Sequence, residues 1–307
     1  MDVVRNLVTL LFFPGGLFVL ACGLIYLWLN RKIVARLQNR IGPRWFQPAA
    51  DMLKLLVKEE IVPQDVPGWL FQLLPVIGLA GVLTAALYVP MAGLAAAFSF
   101  PGDLIITVYL LSLLTLCTGL AGAISANRFS LVGATRTLTQ QFAYEVPFML
   151  ALLSPAIVAQ SWQMRDVLAY ADGRWLVLTQ PLSFIVALIG VLGKLEWPPF
   201  NAPEAETEIV AGALTEYSGR GLALFHLGRA VELIVALTLI AALYLGGVGN
   251  PVAFVVKTLG VLLLLATLET VMARLRIDQV VGVWWRYGAM LVLLQLIILV
   301  VWQGVVA

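Results

Sequence analysis

Apolar residues run along this chain in long blocks broken by short charged stretches, the pattern of a protein that crosses a membrane repeatedly. Eight blocks approach the ~20 residues that a spanning helix needs. They cover residues 7–29, 69–90, 104–125, 142–160, 182–195, 221–246, 252–273 and 283–303. The fifth is short and ends in Lys194 and Glu196. The pattern predicts an all-α, polytopic membrane protein of about eight transmembrane helices, with residues 1–307 forming a single membrane domain. Two polar loops stand out, about 30–68 and an acidic one at about 194–220. In the first, residues 49–60 predict a short amphipathic helix. Met52, Leu53, Leu56 and Val57 form its apolar stripe, and Asp51, Lys54 and Lys58 share its polar face. Both a berth at the lipid headgroups and contact with a protein partner suit such a helix.

Composition agrees. Apolar residues make up 61% of the 307 and charged ones 12%, about half the ~25% usual in soluble domains. A water-soluble globule, a disordered chain and a disulfide scaffold are excluded. Net charge is +2, so no basic field points to nucleic acid. Two cysteines, Cys22 and Cys117, sit inside apolar blocks, and His226 is the only histidine. The usual ligand sets for zinc, haem or iron–sulfur clusters are absent. No cofactor is expected on this chain, and any electrons travel through a partner.

Loop Lys and Arg residues set the expected orientation. Fourteen fall on one side, seven of them in the first polar loop (Arg31, Lys32, Arg36, Arg40, Arg44, Lys54 and Lys58), against Arg5, Arg165 and Arg174 on the other. The richer side is expected to be cytoplasmic, with both termini outside the cell membrane.

Ionisable groups inside spans are costly, so each needs a partner, a hydrated cavity or a function. Glu145 stands near Pro147 at the start of the fourth block, with no cation near it in sequence. His226, Arg229 and Glu232 follow one another at i+3 steps in the sixth block and suggest a polar seam. An Arg229–Glu232 ion pair that pins helices and a titratable chain that passes protons both suit it. Glu269 and Lys257 lie near opposite ends of the seventh block, where snorkelling would satisfy them. The acidic loop carries Glu196, Glu204, Glu206, Glu208 and Glu216. Asn201 and Pro203 suit the start of a helix there. Glu204 and Glu208, at i and i+4, would then form a like-charge pair with one pKa raised.

Two strings, NRIGPRWFQPAADMLKLLVKEEIVPQ and PFNAPEAETEIVAGALTEYSGRGLALF, resemble the membrane subunit shared by respiratory complex I and the energy-converting membrane-bound [NiFe]-hydrogenases. The string MARLRIDQ resembles the hydrogenase branch. So do the short connection Arg44-Trp45-Phe46 between Pro43 and Gln47 and the sequence Gly228-Arg229-Ala230-Val231-Glu232, where complex I relatives differ. The resemblance implies hydrophilic, hydrogenase-like partner subunits on the cytoplasmic face that hold the NiFe site and iron–sulfur clusters. It also implies antiporter-like membrane subunits alongside, with ferredoxin as an indirect electron donor. This chain would contribute no redox centre. It would handle protons or sodium ions through Glu145, Glu196, Glu204, Glu206, Glu208, Glu216, His226, Arg229, Glu232 and Glu269, and dock partners through Arg36, Arg40, Arg44, Asp51, Lys54 and Lys58. The rivals are a quinone-reducing complex I subunit, a stand-alone ion transporter and a structural anchor.

Overall fold

A computed structural model describes residues 9–306. Arg5, counted above for orientation, lies outside the described residues. The fold is all-helical. Among the described residues, seven helices are long and apolar enough to cross a membrane: Thr9–Leu37, Gly68–Leu87, Asp103–Ile124, Arg128–Ala159, Gly219–Tyr244, Pro251–Val271 and Ile277–Gln303. The expected eighth is the apolar helix Pro181–Lys194, which has 14 residues. At ~1.5 Å per residue it spans about 21 Å, less than the ~30 Å hydrocarbon core.

In chain order the elements are α1 (Gly16–Leu37), α2 (Gln47–Val57), α3 (Gly68–Leu87), α4 (Asp103–Ile124), α5 (Arg128–Ala159), α6 (Met164–Ala171), α7 (Leu176–Thr179), α8 (Pro181–Lys194), α9 (Glu206–Ile209), α10 (Gly219–Tyr244), α11 (Pro251–Val271), α12 (Ile277–Val283) and α13 (Ala289–Val306). A π-helical turn, Trp284–Gly288, joins the last two.

The fourth span starts at Arg128, well before the expected residue 142. Arg128, Arg136, Gln140 and Gln141 dilute its hydropathy, but Asn127 caps the helix by accepting from Phe129 N at 2.8 Å, and α5 then runs unbroken for 32 residues. Its first turns therefore extend past the apolar layer, beside the acidic loop. The amphipathic helix of the first loop is real and slightly shorter than predicted. Pro48 and Met52 are its buried residues, while Leu53 and Val57 are 64% and 87% exposed.

α10 is the axis of the fold, packed by α1, α2, α3 and α11. Small residues permit the close approach. A Cβ on Gly23 of α1 would lie 2.5 Å from Ala230 O of α10, and one on Gly228 of α10 would lie 2.7 Å from the Leu114 side chain of α4. At the base of α10, Gly219 has φ +54 and would drive a Cβ to 2.6 Å from Glu59 O. Ile61 N donates to Ser218 Oγ at 3.1 Å beside it. The first polar loop is thus tied to the end of the acidic one.

Candidate functional site: a buried charge cluster beneath the acidic loop

The last turn of α8 is held against α5 by Gln140 Nε2, which donates to Gly193 O at 2.9 Å. That contact delivers Lys194 into the protein interior, where it is 2% exposed. Its Nζ lies 3.4 Å from Glu232 Oε1 of α10, itself 1% exposed. One turn nearer the loop, Arg229 forks its guanidinium between Glu196 and Glu204, a geometry that suits arginine. Glu196 is 4% exposed. Leu114, Thr115 and Thr118 of α4 close the remaining wall, and the cluster leaves no water-sized space between its side chains. Three carboxylates therefore face two cations across the helix–loop boundary.

Several expectations change here. Arg229 and Glu232 do not pair with each other; Glu232 goes to Lys194 and Arg229 to the loop acids. His226 does not join them in a single seam. Steps of three residues fall about 60° short of a turn each, so His226 and Glu232 diverge by about 120°. His226 is half-buried, within electrostatic range of Arg31 and Asp51 near α2. The loop is not a capped helix carrying Glu204 and Glu208 on one face either. Its helix, α9, covers Glu206–Ile209, starts after Ala205 and has no side-chain cap. Glu204 precedes it and faces Arg229, while Glu208 meets Arg136 at 2.7 Å and Arg274 at 3.2 Å. No like-charge pair forms. The hydrogen bond from Arg136, aided by the Arg274 charge, holds the Glu208 carboxyl below its ordinary range instead of above it.

Glu216 accepts from Asn127 Nδ2 at the head of α5. Glu145 is half-buried, without a hydrogen-bond or ion-pair partner among the described residues. Its neighbour Tyr144 is the one that faces the cluster, with its ring centroid 6.0 Å from Lys194 Nζ. Glu269 of α11 accepts from Asn30 Nδ2 of α1 at 3.0 Å. Lys257 turns to the opposite end of the protein and donates to Gly246 O and Gly247 O at 2.9 and 2.6 Å. The Glu206 side chain lies outside the described residues. Arg36, Arg40, Arg44, Lys54 and Lys58 are exposed. Asp51 is occupied on its own helix, accepting from Gln47 at 3.0 Å with Arg31 at 3.9 Å.

The residue that sequence reading misses is Lys194, which reads as a loop cation. The signal for it is the shortness of the fifth block, which leaves its terminal lysine no route to water. Arg136 and Arg274, the anchors of Glu208, likewise read as loop charge. The loop itself is seated by glycine. A Cβ on Gly122 of α4 would lie 2.7 Å from Ala213, and one on Gly133 of α5 would collide with the Gly212–Ala213 backbone.

An all-helical chain with seven apolar spanning helices among its described residues, and an ion-pair cluster reaching from a polar loop into its core, belongs to the class of polytopic membrane proteins. Residues 8–300 match the family described as NADH dehydrogenase, and the chain belongs to that family. It is 32% identical over 292 residues to the H-type subunit of the NADH-quinone oxidoreductase of Dehalococcoides mccartyi strain CBDB1, covering 92% of this chain and 82% of that one. The equivalent protein of strain ATCC BAA-2266 / KCTC 15142 / 195 matches over the same lengths at 32%. The fold is similar to a chain in the structure of the membrane-bound sulfane sulfur reductase, an archaeal respiratory membrane complex. The TM-score is 0.84 and identity is 22%, with 97% of this chain and 99% of that chain covered. The protein is a membrane subunit of the complex I-like kind.

Proposed function

We propose that this chain is the membrane subunit of an ion-translocating, ferredoxin-linked complex of the membrane-bound hydrogenase type, in the cell membrane with both termini outside. In this reading, hydrophilic hydrogenase-like and iron–sulfur subunits dock on the side of the acidic loop and antiporter-like subunits lie alongside. The supporting observation is the charge balance of the buried cluster. Lys194 and Arg229 offset two of the three carboxylates of Glu196, Glu204 and Glu232, so the cluster becomes neutral on taking up one proton. Glu204 is half-exposed on the loop and Glu232 is buried in the core. A partner that pulls Glu204 or Glu208 from its arginine changes the charge felt by Glu196 and then by Glu232, across a path of a few side chains. Redox change at the loop surface is thereby converted into proton uptake or release inside the membrane.

The exposed Arg36, Arg40, Arg44, Lys54 and Lys58, beside the uncovered Trp45, Leu53 and Val57, supply a docking surface for the soluble subunits. Desolvating aromatic and aliphatic anchors inside a ring of charge is how such interfaces gain affinity. The 32% identity to a subunit of NADH-quinone oxidoreductase favours the second reading, a quinone-reducing complex. The deciding experiment is to purify the complex through this chain and supply reduced ferredoxin or a short-chain quinone. Turnover with ferredoxin in the absence of quinone supports the proposal, and strict quinone dependence replaces it with the second reading.

A further inference from the structure

At the end of the protein opposite the acidic loop, α5, α6, α7 and α13 leave a cavity of about 450 Å³, within the size range of small-molecule sites. Leu178 and Leu299 make its wall apolar, and Arg174, Trp175 and Trp302 stand at its rim. Trp175 and Trp302 are 57% and 68% exposed. Trp162 is exposed at the same end, so indoles collect at one level, as they do where a protein meets lipid headgroups. Arg174 is exposed, stacked 4.3 Å over the Tyr170 ring, and forms no ion pair among the described residues. Gln180 is fully buried in the cavity wall. Its Oε1 accepts from Ser154 at 2.5 Å, but its Nε2 has no acceptor, and a buried donor left unpaired is destabilising.

An unpaired cation, an unpaired buried donor and an apolar trough between two indoles, all at the edge of the apolar layer, match one ligand class. We infer that this cavity is a binding site for a single membrane phospholipid. Its phosphate lies against Arg174, a glycerol-ester oxygen accepts from Gln180, and one acyl chain runs along Leu178 and Leu299. A purely apolar helix of another subunit would leave both the Arg174 charge and the Gln180 donor unanswered.

The test uses the intact complex in nanodiscs containing phosphatidylglycerol with a diazirine in one acyl chain. After irradiation, peptides containing residues 176–179 and 299–303 should carry several-fold more label than the outward face of α11 at residues 252–256, which samples bulk lipid. Arg174→Gln should cut that excess about tenfold, the loss expected for one charge-assisted bond, while Trp302→Ala lowers labelling at 299–303 without dissociating the complex. Labelling at the bulk level, or an excess that Arg174→Gln leaves unchanged, overturns the site. So does a photoreactive side chain placed at Leu178 that crosslinks to another subunit in place of lipid.

Discussion

Two spans of this protein are equally apolar and live in different surroundings. In α10, 89% of the most apolar window is buried against other helices, while in the span Ile277–Gln303, which holds α12 and α13, the figure is 28%. Apolarity does not separate them, because lipid tails are as apolar as leucine. What separates them is side-chain size and charge. α10 alternates Gly221, Ala223, Gly228, Ala230 and Ala236 with Arg229 and Glu232, and every one of its residues from Ala230 to Tyr244 is buried. α13 presents Met290, Ile297, Val300 and Val301 outward. Small residues and charges thus mark the helix at the centre of this protein, whereas a helix at its rim turns bulky aliphatics outward.

The largest effect expected from that contrast lies in the Lys194–Glu232 pair. Lys194→Met or Glu232→Leu alone strands a buried charge at a cost of about 3–5 kcal/mol, and the complex should fail to accumulate in membranes. The double variant removes both charges and should restore assembly to near the wild-type level, as read by blue-native electrophoresis. Next come the glycines. Gly23→Ala drives a methyl into the backbone of α10 and should cost about 1–3 kcal/mol, lowering the thermal midpoint of the purified complex. Gly260→Ala in α11, where nothing lies within 4 Å, should leave that midpoint unchanged or raise it slightly, since alanine is the better helix former by ~1 kcal/mol. A loss at Gly260 equal to that at Gly23 would break the comparison. The smallest effect concerns the loop. Glu208 is held below its ordinary 4.5 by Arg136 and Arg274, so its contribution is complete above that value and disappears as pH falls through the lowered one. Hydrogen exchange in residues 202–209 should therefore respond most strongly to Glu208→Gln at neutral pH and progressively less as the pH falls below 4.5.

Most of the fold is legible in the sequence because each span is a run of apolar residues that lipid alone demands. Seven spans and the short eighth each overlap a predicted block, and the start of α5 is hidden because its first turns are polar and lie beyond the apolar layer. The charge cluster is half legible. Arg229, Glu232, Glu196 and Glu204 stand out as costly groups, but their pairing depends on which helices touch. Sequence spacing suggests Arg229 with Glu232, when the partners lie 33 and 38 positions away. Lys194 is hidden because a lysine at the end of an apolar run reads as a loop anchor. Only its contact with α5 shows that it turns inward. The loop acids mislead for the same reason: helical spacing pairs Glu204 with Glu208, whereas Pro203 and the turns around it disperse them toward different arginines.

In the proposed function, the buried cluster and not the loop surface alone couples redox turnover to ion movement. Its most direct test is the assembled Lys194→Met/Glu232→Leu complex, reconstituted in sealed vesicles and assayed for turnover and for the ion gradient in the same sample. Near-normal turnover with no gradient is the expected result. A full gradient at normal turnover would contradict it.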